Sequence, residues 1–314
     1  NKQDEAYFER LRLAAVTAQR IYSKNMLQQA ISVLNQLPNY LSSQKRIIAL
    51  LLSKAKKLNI FSQLTPEVQQ LLTLKGKQAV ITELAKTNQL NSIIQHFATQ
   101  NIPMILLKGS AFSGVLYSKE SPRISSDIDI LVKTQHWQKA QQCLQSFMQP
   151  QAKIIDGVLG NLYEVTFKPS TKSGAFVDLH QSLVNPILFN IDENALWENS
   201  QQHPLFGQKN VRLLMPEHAL IHQAIHAYKD MNFCKYNLID STEIISQAKP
   251  NIENTLAIAK QWGASVPLFI LLKILHPIVW LISSISNKFL SLVGIKISEK
   301  TQLSMERDDL KSLI

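Results

Sequence analysis

The chain has 314 residues, 45% of them apolar and 18% charged, with a formal net charge of +10 and a pI near 9.5. That length allows one or two domains with a substantial core, and the composition excludes a disordered chain. A basic balance points to phosphate-bearing partners such as nucleotides, RNA or anionic lipid, although no run of like charges builds a polybasic arm.

Cys143 and Cys234 are the two cysteines and lie far apart without CxxC spacing. A disulfide framework or a cysteine zinc site is therefore not expected, and a reducing cytoplasm is the expected location. The opening NKQDEAYFERLRLAA has no apolar run of the kind a secretory signal needs.

Residues 1 to about 100 contain one glycine, Gly76, and repeat apolar positions at helical spacing. Leu27, Ile31 and Leu34 form one stripe, Ile47, Leu51 and Leu52 a second, and Val68, Leu71 and Leu72 a third. Ser43 and Thr65 stand at N-cap positions, and Thr65-Pro66-Glu67 adds proline in the first turn. A helical N-terminal region over 1–100 is predicted.

The pattern changes at Asn101. PMILL reads as a short strand, and GSAFSGVLY as the start of a helix. DIDILV reads as a second strand, and Thr134 as the cap of a helix reaching about Phe147. LYEVTF and AFVDLH alternate with period two around KPSTKSG, the signature of a hairpin, and VRLLM is one more strand. From Pro216 the chain returns to helices in PEHALIHQAIHAYKD, NLIDSTEIISQA and the apolar stretch to about 295, followed by a charged tail.

The predicted fold is therefore α+β. A small mixed-sheet core over 101–215 is flanked by helical regions at 1–100 and 216–314. The segment VPLFILLKILHPIVWLISSI, Val266 to Ile285, is long enough to span a bilayer. Lys273, His276 and Pro277 at its centre instead favour two packed helices, and no stable transmembrane span is expected. Contact with a partner or a membrane through 266–295 is the alternative.

Asp127 and Asp129 point to one side of their strand, about 6.5 Å apart, while Ile128, Ile130 and Val132 point to the other. Two such carboxylates repel unless a cation lies between them, and oxygen-only donors favour Mg²⁺ or Mn²⁺. Asp178 shares a strand face with Phe176 and His180. If that strand pairs beside DIDILV, Asp178 completes a metal site and can accept a proton from an attacking hydroxyl. Gly109-Ser110, at a strand-to-helix junction, supplies a tight turn and backbone N–H groups suited to phosphate. Lys108 is placed to reach a β- or γ-phosphate and Arg123 to clamp one bidentately. The spacing is not that of a Walker A loop.

PEHALIHQAIHAY sets His218, His222 and His226 on one helix face. Ala219 stands where a zinc protease needs glutamate, so a pocket-lining or packed stripe is expected.

Gly109-Ser110, then Asp127-x-Asp129, then Asp178 on a later strand resemble the DNA polymerase β-type nucleotidyltransferase superfamily. The closer resemblance, carried by Leu107-Lys108-Gly109, Tyr117, Arg123, Asp127 to Val132 and Val177-Asp178-Leu179-His180, is to its bacterial "uncharacterised nucleotidyltransferase" group, which His222, His226 and Asp240 extend. It implies a Mg²⁺-dependent transferase. Asp127, Asp129 and Asp178 would carry metal and catalysis, with Lys108, Gly109, Ser110, Arg123 and His180 on the nucleotide. The expected reaction moves a nucleoside monophosphate, AMP from ATP as first expectation, onto a hydroxyl of a small molecule, protein or RNA. The rival readings are a DxD glycosyltransferase using a nucleotide sugar, and a non-catalytic interaction protein on an inert nucleotidyltransferase fold.

Overall fold

The computed structural model describes residues 24–36, 38, 41, 47–118, 123–151, 163–171, 174–206, 210–229 and 235–275. Ser43, the helix predicted after Pro277 and the charged tail lie outside the described residues.

Among the described residues, three N-terminal helices, α1 (Lys24–Gln36), α2 (Ile48–Lys57) and α3 (Pro66–Thr99), bury the predicted stripes. α3 starts as its sequence dictates: Thr65 Oγ1 accepts the Val68 N–H at 3.5 Å, with Pro66 in the first turn. The Thr65 N–H donates to Asn35 Oδ1 at 2.8 Å, tying α3 to α1. Gly76 allows α2 to lie close, since a Cβ there would stand 2.7 Å from Leu52 Cδ2. The buried face of α3 runs Val68, Leu72, Gly76, Ala79, Glu83, Lys86, Leu90, Ile93, Phe97. An apolar stripe is thus interrupted once, by a buried ion pair.

The sheet follows, with β1 (Met104–Leu107), β2 (Asp127–Val132), β3 (Gln149–Pro150), β4 (Glu164–Lys168), β5 (Phe176–His180), β6 (Gln201–Gln202) and β7 (Val211–Leu213). Its spatial order is β3-β4-β5-β2-β1-β7-β6. β1 runs antiparallel to β2 and parallel to β7, and β2 runs parallel to β5. β4 and β5 form the predicted antiparallel hairpin. The mixed pairing makes the fold α+β. On one face Leu106, Ile128, Ile130, Val177, Leu179 and Phe167 are fully buried, and each such side chain contributes about 1.5–3 kcal/mol.

Two local readings shift. The helix predicted from Gly109 onward is short, α4 (Lys108–Phe112), because the chain turns at Gly114 with φ +74°. Thr134 does not cap; it opens a 3₁₀ turn over Thr134–His136, after which α5 (Trp137–Gln145) begins. Short α6 (Glu193–Glu198) precedes β6.

The C-terminal helices are α7 (Pro216–Lys229), α8 (Lys235–Glu243) with a π turn over Ile244–Ala248, and α9 (Ile252–Gln261). Residues 265–275 are helical and bury one face, with Leu268, Leu271, Leu272 and Leu275 in the core. No helix among the described residues is long and apolar enough to cross a membrane. α3 is fastened to the sheet at β5, where Gln89 Nε2 donates to the Ala175 carbonyl at 2.9 Å and Gln89 Oε1 accepts the Ala175 N–H at 2.8 Å.

Candidate active site

Strand alternation and register together assemble the acidic face. Asp129 of β2 and Asp178 of β5 are direct register partners on parallel neighbours, and Asp127 pairs with Phe176. Adjacent strands lie about 4.8 Å apart, so three carboxylates share one small surface. β4 adds to it, because Thr166 is the partner of Asp178 and Glu164 that of His180. Thr166 Oγ1 donates to Asp178 Oδ1 at 2.6 Å. Burial raises the Asp178 carboxyl above its ordinary range, the Thr166 hydrogen bond opposes this, and the charges of Asp129 and Glu164 add to the rise. Glu164 was not singled out from the sequence, although the period-two alternation of LYEVTF places it on this face.

Asp129, 2% exposed, behaves differently. Burial would raise its carboxyl, but the Lys108 ammonium 2.8 Å away and the nearby His180 overcome that and hold it well below the usual range. The Lys108 ammonium, itself desolvated, is raised by the same contact. Lys108 has a left-handed backbone at φ +48°, a conformation that costs a non-glycine residue on the order of 1 kcal/mol. His180 Nε2 lies 3.4 Å from Asp129 and Nδ1 3.8 Å from Glu164 Oε2.

Gly109 follows Lys108 for a steric reason. A Cβ there would lie 2.5 Å from both Arg123 Nη1 and Ser125 Cβ, so glycine lets the 123–125 segment pack onto α4. Ser110 Oγ is buried and has no hydrogen-bond partner among the described residues.

Arg123, expected as a phosphate clamp, is committed elsewhere. It is buried, with Nε donating to Asp240 Oδ1 at 2.9 Å and Nη2 to Asp240 Oδ2 at 2.6 Å. Tyr117 OH donates to Asp240 Oδ1 at 2.7 Å, and burial beside that carboxylate pushes the phenol well up. The fork that would have gripped phosphate is saturated by the α8 carboxylate. Three motif residues from the resemblance thus converge in one network that fastens the loop between α4 and β2 onto α8.

Lys86 was not anticipated at all. Its ammonium lies 2.8 Å from Glu83 Oε1 and donates to Ser125 Oγ, which in turn donates to the Asp127 carbonyl at 3.0 Å. Burial lowers the Lys86 ammonium although Glu83 opposes this. The N-terminal helix therefore reaches the start of β2 through two side chains. The only local signal was a Glu–Lys pair on the face that is apolar elsewhere.

The histidine stripe is packed, as expected. His218 stacks on Trp262 with ring centroids 4.9 Å apart, and burial pulls its imidazole down to about 4. His222 is held well below its ordinary value by burial, reinforced by Lys108 and His226. As they stand, with Lys108 on Asp129, no three His, Cys, Asp or Glu side chains converge closely enough to hold a metal ion among the described residues.

The mixed sheet carries three strand-borne carboxylates beside a lysine-glycine-serine junction, the motif arrangement on which the resemblance to the nucleotidyltransferase class rests. The chain belongs to the family described as "Uncharacterised nucleotidyltransferase", whose family model matches residues 39–279. It is also similar to an antigenic nucleotidyltransferase-like protein from Paracoccidioides brasiliensis. That crystal structure is 17% identical, with a TM-score of 0.36 over 59% of this chain and 92% of that one. A search of curated proteins found no match.

Proposed function

We propose that the protein is a Mg²⁺-dependent nucleotidyltransferase moving a nucleoside monophosphate, AMP from ATP as first choice, onto a hydroxyl with release of pyrophosphate. The observation supporting this most directly is the side-by-side register of Asp129 and Asp178, with Asp127 on the same face. All three are hard oxygen donors of the kind Mg²⁺ or Mn²⁺ prefers. Asp178 is crowded by Asp129 and Glu164, a surplus of negative charge that a divalent cation relieves. Asp127, Asp129 and Asp178 would hold the metal once Lys108 leaves Asp129 for the triphosphate. When bound, it would neutralise phosphate charge and polarise the phosphoryl oxygens.

The chain's own residues account for the rest. Ser110 Oγ, a buried hydroxyl without a partner among the described residues, and the Lys108 ammonium are groups available to phosphate oxygens. Asp178, already raised, takes the proton of the attacking hydroxyl. A bond forms between that oxygen and the α-phosphorus, the bond to the bridging oxygen breaks, and pyrophosphate leaves. A cytoplasmic setting belongs to the same reading, supported by two cysteines without a pairing motif.

Incubation with each α-labelled NTP, Mg²⁺ and cell lysate tests the proposal. Pyrophosphate release and a labelled acceptor are expected from the wild type and not from Asp178→Asn. A second reading, an inert nucleotidyltransferase fold, is favoured by the Lys108 contact that occupies Asp129. Equal background release by the wild type and the Asp127→Ala/Asp129→Ala variant establishes it.

A further inference from the structure

Beneath α4 lies a partly open cavity of about 100 Å³, lined by the ends of β1 and β7, by α7 and by the π turn after α8. Its walls are mainly apolar, among them Ala111, Phe112, Leu213 and Ala219, and its polar members include Lys108 and His222. Lys108 is also the residue bonded to Asp129, so one ammonium borders both the cavity and the acidic face.

We propose that this cavity binds a small aliphatic alcohol of about four or five carbons, alkyl end inward and hydroxyl toward Lys108 and His222. Three observations lead there. The lining is apolar on most sides, so the buried part of the ligand is hydrocarbon. The volume of about 100 Å³ is below the ~150 Å³ of an engineered cavity in another protein that holds benzene, so the part of a ligand that enters it is about butyl-sized. In the nucleotide-free protein the charge of Lys108 is matched by Asp129, and burial holds the His222 imidazole well below its ordinary value, so the polar end suits an uncharged hydroxyl better than a carboxylate or phosphate. Binding stands independently of the transfer reaction. The role of the alcohol as acceptor rests on the nucleotidyltransferase reading.

The test measures binding of 1-butanol by ligand-observed NMR without nucleotide, then repeats the incubation with α-labelled ATP and Mg²⁺. Saturable binding to the wild type is expected, with a dissociation constant on the order of 1 mM. Ala219→Leu, which fills the cavity, is expected to weaken it at least about tenfold. Leu213→Ala, which enlarges the cavity, is expected to shift preference toward benzyl alcohol, and this gain of binding does not depend on Ala219→Leu folding well. Equal binding of 1-butanol by the wild type and Ala219→Leu, with no shift for Leu213→Ala, overturns the site. Binding without labelling keeps the site and overturns its role as acceptor pocket. Labelling of 1-butanol at its oxygen supports both.

Discussion

Asp129 and Asp240 are both buried, and each is held by a cation, yet the two surroundings are opposite in kind. Asp240 receives three hydrogen bonds, two from Arg123 and one from Tyr117, and both of its oxygens are engaged. Asp129 has one ammonium, from Lys108, and sits among Asp127, Asp178, Glu164 and His180. The first arrangement is saturated and electrically balanced, as a fastening should be. The second holds more negative charge than its cation offsets, and Lys108 keeps 22% side-chain exposure. A carboxylate–cation pair is thus a fastening or a site according to what surrounds it.

Breaking each side of this contrast has a different signature. The largest expected effect is on chemistry: Asp178→Asn lowers the transfer rate by about 10²–10⁴-fold, the usual worth of a positioned base. Full activity in that variant, read by pyrophosphate release, removes Asp178 from the reaction. Asp240→Ala leaves the Arg123 guanidinium buried and unpaired, and costs about 3–5 kcal/mol in a urea titration. Asp129→Ala is expected to cost less than Asp240→Ala, because Lys108 has solvent to turn to. Equal losses in the two would erase the distinction.

Gly109→Ala sharpens the picture at the point where the two regions meet. The added methyl meets Arg123 and Ser125 and is expected to destabilise by about 1–3 kcal/mol. The smallest effect is on pH dependence. The folded Asp178 carboxyl is raised, so its ionised form is disfavoured at neutral pH and the cost vanishes once the group is protonated in both states. Asp178→Asn is accordingly expected to melt slightly above the wild type near pH 7 and level with it below about pH 4. Asp129 works the other way: its depressed carboxyl stabilises the fold at neutral pH, and that contribution fades as pH falls below about 4.

How legible all this was depended on distance along the chain. The strands with clear alternation, β2, β4 and β5, and the capped start of α3 were readable, because both signals act over a few residues. Asp127 and Asp129 could be assigned to one face for the same reason. Pairing of Asp178 beside them needed an assumption about strand order that the parallel register of β2 and β5 meets. Arg123 was read from its neighbourhood in sequence, whereas its partner lies 117 residues away. Lys86 is 39 residues from Ser125, and nothing near it announces that contact.

By itself the sequence determined which stretches alternate, which carry helical stripes, and which acids share a strand face. These follow from backbone geometry repeated every two or 3.6 residues. Only the tertiary structure decided that Lys108 meets Asp129, that Arg123 and Tyr117 meet Asp240, and that α3 sends Lys86 to the start of β2. Such pairings are set by register, helix packing and the cost of burying an unmatched charge, quantities that exist only once distant segments touch.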